Sequence, residues 1–177
     1  MLVKDSNSKV ALHALDTLAS ILVDVKQEIS LASLTLLVQN TAAGLASKNA
    51  EMYKKASNLL DAFINNLDHV LLFHPFVQVT VNATAKTKPD IIDRVSYLAK
   101  KVYSAKPKQV TLHGLPLAWN LVRSLSTTGS TAVLREAVAD YIKNLYGLMG
   151  PGLFEYCSSA PDSNPQLVAM VRELSGA

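Results

Sequence analysis

A single cysteine, Cys157, stands in the chain, so no intrachain disulfide can form. That suits a reducing compartment, and on a late apolar stretch the thiol reads as a small core residue. The four histidines, His13, His69, His74 and His113, are not spaced as metal ligands. There is no glycine-rich phosphate loop and no nucleophile elbow. The expectation is therefore no cofactor, no metal and no enzymatic activity. Seven glycines and seven prolines leave no stretch that reads as a long flexible linker. Aromatics are sparse at 6%, and charged residues make up 18% with a net charge of +3. The lysines are dispersed rather than gathered into a stripe, and no nucleic-acid-binding motif is present, so no nucleic-acid partner is expected. No apolar run is long and uninterrupted enough to cross a bilayer, and no leader sequence follows Met1. A cytoplasmic protein without membrane contact is expected.

What the chain has is apolar residues, 49% of the total. That excludes a disordered chain and suits helix-on-helix packing. Helix-start signals recur along it: Asp5-Ser6-Asn7, Ser47-Lys48-Asn49, Thr87-Lys88-Pro89, Ser130-Thr131 and Asn164-Pro165. Each places a short polar side chain or a proline before an apolar-periodic run. Such side chains accept from the free N–H groups of a first helical turn, and proline has no N–H to orphan there. A second helix fits each interval. A helix pair repeating at roughly forty residues predicts an all-α, HEAT/ARM-like solenoid of antiparallel helix pairs.

The expected helices run from Asn7 to Val25, with Val10, Ala14, Leu18, Ile21, Leu22 and Val25 on one face, and from Glu28 to Leu45. The third carries the clearest stripe, Met52, Ala56, Leu59, Leu60, Phe63, Ile64 and Leu67. The segment from Asp68 to Val81 is ambiguous. Val77, Val79 and Val81 alternate as in a strand and Pro75 disturbs a helix, yet a lone strand would have nothing to pair with. Helix is preferred. Thr87-Lys88-Pro89-Asp90 resembles a capping box opening a fifth helix that reaches Ser104. Gly114 and Pro116 predict a kink in the sixth, Lys108 to Leu125. The seventh, ending near Met149 and capped by Gly150, turns Val133, Ala137, Tyr141, Leu145 and Leu148 inward. Pro151 opens a short helix through Cys157, and Pro165 to Leu174 is the last. The helices pair over 28–67, 68–104, 108–149 and 151–174, leaving the first without a partner before it.

Several stretches carry a family resemblance: Asp5-Ser6-Asn7-Ser8-Lys9-Val10 with Ala14-Leu15, "LASKNAEMYKKA" at 45–56, "LFHPF" at 72–76, "YSAKP" at 103–107, the segment at Trp119, and "STTGS" at 126–130. In order and spacing the chain resembles a TOG domain of the crescerin family, the TOG array regulators of axonemal microtubules, and is most similar to its last TOG domain. The resemblance implies a single HEAT-repeat domain over 1–177 that lacks the first repeat and the first helix of the second. It implies a non-enzymatic module that binds αβ-tubulin or microtubules, in the cytoskeleton of the cilium or axoneme. It further implies that binding uses the turns inside each helix pair, here 5–9, 46–49, 82–88, 126–130 and 161–164. The expected contacts are Asn7, Lys9, Lys48, Asn49, Lys86, Lys88, Thr128 and Ser130. A row of ammonium groups would steer and orient an acidic partner, while the two asparagines would cap helices and fix the turns. The alternative is a HEAT scaffold without tubulin binding, self-associating as a homodimer through an uncovered first helix.

Overall fold

The computed structural model describes residues 7–22, 29–127 and 130–177. Every regular element among them is helical, as the apolar spacing requires. The chain divides into two compact units, Met1–Thr87 and Lys88–Ala177.

The first unit holds α1 (Ser8–Ile21), α2 (Leu31–Ala43) with a closing 3-10 turn (Gly44–Ala46), α3 (Ala50–Asn66) and α4 (His69–Asn82). Each helix begins at a polar side chain that takes up orphan N–H groups. Asn7 accepts from the N–H of Lys9 at 3.0 Å and Ser30 from that of Ser33 at 3.2 Å. Asn49 accepts from Glu51 and Met52 at 2.9 and 3.3 Å, and Asp68 from Val70 and Leu71 at 2.7 and 3.1 Å. Alternate helices stack, α1 on α3 and α2 on α4, which makes two layers. The buried faces meet between them: Leu34, Val38, Leu45, Ala56, Leu59, Leu60, Phe63, Leu72, Phe73 and Phe76. Gly44 lets the end of α2 sit directly on α3, since a Cβ there would lie 2.7 Å from the Cβ of Ala56.

One expectation for the first helix changes, namely which face it buries. It packs on α3 through Ala11, Leu15 and Leu22, and Asp16 reaches Lys55 at 2.5 Å. Its buried stripe is therefore turned from the expected one: Val10, Ala14 and Leu18 are half-buried and Ile21 is exposed. Two apolar ladders run along this helix, and the one facing α3 is the one buried. Val25 and Glu28 lie outside the described residues; α2 begins at Leu31, which is exposed. The ambiguous segment is α4, and its ambiguity has a cause. Leu72, Phe73, Pro75, Phe76, Val77, Val79 and Thr80 are all buried, so the helix shows no single polar face to set a period. The Thr80 hydroxyl turns back to the Phe76 carbonyl at 2.8 Å.

The second unit holds α5 (Lys88–Ala105), the short α6 (Pro107–Gln109), a π turn (Val110–Gly114), α7 (Leu115–Thr127), α8 (Ala132–Met149), α9 (Gly152–Ser159) and α10 (Pro165–Ser175). Here α8 stacks on α5 and α10 on α8, with α7 and α9 beside them. Where a kink is expected, the chain makes a π turn. It shifts the Leu115 N–H onto the Val110 carbonyl just before Pro116, which has no N–H to give. Gly150 caps α8 at φ 57°, a conformation only glycine adopts cheaply. Val133 does not point inward: it is 63% exposed, and burial in α8 begins at Leu134. Thr131 is the cap, accepting from the Leu134 N–H at 3.2 Å, and this sets which residues of the first turn face the core.

Candidate functional site

In the first unit each hairpin reverses the chain, so α1 and α3 run parallel, as do α2 and α4. The Asp16–Lys55 contact joins α1 and α3 about two turns in from their caps. Asn7 and Asn49 therefore lie at the same end of the unit. The C-terminal ends of α2 and α4 lie at that end too, and they carry the turns 46–49 and 83–87. Lys9, Lys48 and Lys86 are thus brought to one end, all exposed, and none makes an ion pair among the described residues. Lys9 lies on the first turn of α1, and the loops that carry Lys48 and Lys86 are internally braced. Ser47 accepts from the Asn49 N–H at 3.1 Å, the Thr87 N–H donates to the Thr84 carbonyl at 3.0 Å, and the two threonine hydroxyls lie 3.1 Å apart. Asn7 and Asn49 are exposed but spend their side-chain oxygens on helix caps. The hydrogen bonds within the two loops fix the backbone that presents Lys48 and Lys86.

The second unit differs. Lys88 is the first residue of α5 rather than part of a turn, and it is half-buried. Burial lowers its pKa below that of an ordinary lysine. Ser130, also half-buried, precedes the cap of α8. Thr128 lies outside the described residues. Lys88 and Ser130 stand at the starts of α5 and α8, two parallel neighbours pinned by Asn144. Its amide donates to the Ser96 carbonyl at 2.7 Å and to the Ser96 hydroxyl at 3.0 Å. Acidic groups gather close to these starts. The Asp93 carboxyl is pushed up by partial burial and then by Asp90 and Asp140. The cationic character of the first unit's corner is diluted here.

One feature of the last turn is invisible to local sequence reading. The Trp119 indole N–H, almost wholly buried, donates to Asp162 Oδ1 at 2.7 Å, and Arg123 pairs with the other carboxylate oxygen. These two donors, the indole first, hold the Asp162 carboxyl below the ordinary carboxylate range. The turn 161–164 is therefore clasped to α7. A proline-aspartate turn signals only the turn; the partner forty-odd residues away is a tertiary fact.

The Cys157 thiol and two of the histidines are engaged by the fold itself. Burial pushes the Cys157 thiol up to about 11, which makes it a poor nucleophile. His69 Nε2 lies 3.0 Å from the Ile64 carbonyl, and His74 lies 3.2 Å from Gln78. Among the described residues no group of three or more His, Cys, Asp or Glu side chains could hold a metal ion. Nor is any described helix long and apolar enough to cross a membrane.

No family model matches the chain. It is 28% identical over 174 residues to TOG array regulator of axonemal microtubules protein 1 of Homo sapiens, a match covering 96% of this chain and 10% of that protein. The Mus musculus protein of the same name matches equally, at 28% over 174 residues. Crescerin-like protein che-12 of Caenorhabditis elegans is 28% identical over 175 residues, or 95% of this chain and 14% of that one. The chain thus spans about a tenth of the length of its mammalian relatives. In fold it is similar to a solved structure described by the words "TOG-tubulin binding specificity promotes microtubule dynamics and mitotic spindle formation". The TM-score is 0.68 at 14% identity, covering 98% of this chain and 63% of that one. The stacked helix hairpins thus have the fold of a TOG structure, in a sequence similar almost end to end to two TOG array regulators of axonemal microtubules and to a crescerin-like protein.

Proposed function

We propose that this domain binds αβ-tubulin without catalysis, through the end of its first unit that carries Lys9, Lys48 and Lys86. The observation that carries the reading is the set of three exposed ammonium groups without an ion pair among the described residues, Lys48 and Lys86 on braced turns and Lys9 on the first turn of α1. Such groups attract and orient an acidic partner, and their worth rises where no neighbouring carboxylate already neutralises them. Lys88, Ser130 and Thr128 extend the same reading into the second unit with less weight, since Lys88 is half-buried and acidic groups stand near it. Asn7 and Asn49 serve by capping. The setting in a cell is the ciliary or axonemal cytoskeleton, by analogy with the named relatives.

The competing scaffold reading, with self-association through the first helix, has less physical support. The outward side of α1 carries His13, Asp16, Thr17 and Ser20, and Ile21 is its single exposed large aliphatic residue among those described. Gel filtration of the domain with αβ-tubulin tests the proposal. Co-elution is expected, and Lys48→Glu with Lys86→Glu should abolish it. If the unsubstituted domain elutes apart from tubulin at micromolar concentration, or if the double variant still co-elutes, the proposal fails.

A further inference from the structure

In the second unit a groove of about 620 Å³ runs between α5 and α8, lined by Ser96, Lys100, Asp140, Lys143, Asn144 and Gly147, with Leu148 closing it. It lies toward the C-terminal halves of both helices, away from the starts that carry Lys88 and Ser130. We infer that this groove is a docking site for a carboxylate-rich peptide segment, separate from the proposed tubulin-binding corner.

Three observations support the assignment. Lys100 makes no ion pair among the described residues, and Lys143 has only Asp140, 3.8 Å away within its own helix, so the groove carries a surplus positive charge. An exposed pair of that kind is weak and easily exchanged for a better acceptor. The floor is rigid, because Asn144 bridges the two helices through the carbonyl and hydroxyl of Ser96. Gly147 supplies the third. It sits within the α8 helix, where glycine costs up to about 1 kcal/mol relative to alanine. Neither backbone nor packing requires it. Its φ is not positive, and a Cβ built on it would meet nothing within 4 Å. The effect of that missing side chain is to keep the groove open one turn beyond Asn144, at the level of Lys100. A glutamate carboxylate there could accept from both lysines, and from the Ser96 hydroxyl beneath them.

The test is an anisotropy titration of a fluorescein-labelled oligoglutamate peptide against the domain at low salt. Binding should weaken at least tenfold in Lys100→Glu with Lys143→Glu. It should weaken similarly in Gly147→Leu, which fills the groove without changing charge; circular dichroism should find that variant at least as helical. Lys48→Glu with Lys86→Glu should leave it unchanged. No peptide binding, full binding by Gly147→Leu, or an equal loss in the Lys48 and Lys86 variant would each overturn the assignment. The result is independent of tubulin: a domain that fails to co-elute with tubulin can still pass, and one that co-elutes can fail.

Discussion

Thr41 and Tyr141 each bury a hydroxyl completely, one in each unit, and they show how differently the two are held together. The Thr41 hydroxyl has no hydrogen-bond partner among the described residues. The Tyr141 hydroxyl donates to the Gly114 carbonyl at 3.1 Å, across from α8 to the end of the π turn. The pattern is general. Among the described residues, the side-chain hydrogen bonds of the first unit include many local caps and back-bonds, and the long-range link from Lys55 to Asp16 is at the surface. The second unit is cross-tied by Tyr141 to Gly114, Asn144 to Ser96, and Trp119 with Arg123 to Asp162. A regular stack of hairpins can rest on apolar packing alone. A chain interrupted by a π turn and a proline leaves polar groups that neighbouring helices must meet.

The steepest test of this contrast strikes the packing of the first unit. Gly44→Ala puts a Cβ against that of Ala56, two groups that cannot rotate away, so the backbone must shift. A loss of about 1–3 kcal/mol in urea unfolding is expected from the overpacking; an unchanged midpoint would mean that α2 and α3 separate easily. Tyr141→Phe should cost a similar or slightly smaller amount, about 1–3 kcal/mol, because the partner carbonyl is left buried. Removing the hydroxyl from the other unit should have the opposite sign. Thr41→Val, nearly equal in shape, is expected to be neutral or to stabilise by about 1 kcal/mol, since an unpartnered buried hydroxyl is lost. If both deletions destabilise alike, the contrast between the units is wrong.

A smaller effect is expected at the proposed tubulin corner. Asn49→Ala removes the cap of α3 and should cost about 1 kcal/mol, and it should weaken tubulin co-elution by loosening the turn that presents Lys48. Normal co-elution at reduced stability would separate the cap from recognition. The smallest expected effect is on pH dependence. The folded-state pKa of Asp162 is depressed, so its contribution is present above the ordinary carboxylate range and is lost as pH falls through the lowered value. Trp119→Phe removes the largest cause of that shift and should flatten the fall of Tm in acid. An acid profile parallel to that of the unsubstituted domain would show that the clasp contributes nothing.

Much of the helical order was open to sequence reading, and the reasons differ by element. The α3 stripe was plain because one face is buried and the other wet. The caps at Asn7, Asn49 and Asn164 were plain because capping is decided within three residues. The α1 stripe was misread because two apolar ladders compete and a neighbour chooses between them. Val133 was misplaced because the Thr131 cap sets the α8 register. Of the candidate contacts, Lys48 and Lys86 were expected in exposed turns and are found there, whereas Lys9, though exposed, belongs to the first turn of α1, and Lys88 begins α5 and is half-buried.

By itself the amino-acid order determined the helices, their starts and the hairpin rhythm, because hydrogen bonding, capping and apolar period act over a few residues. It also carried the family likeness. Only the tertiary structure decided which ladder of α1 is buried, that three lysines share one end of the first unit, and that Trp119, Tyr141 and Asn144 tie distant segments together. Those outcomes depend on which surfaces meet, and a pairing between residues far apart in the chain leaves no periodic trace in either partner.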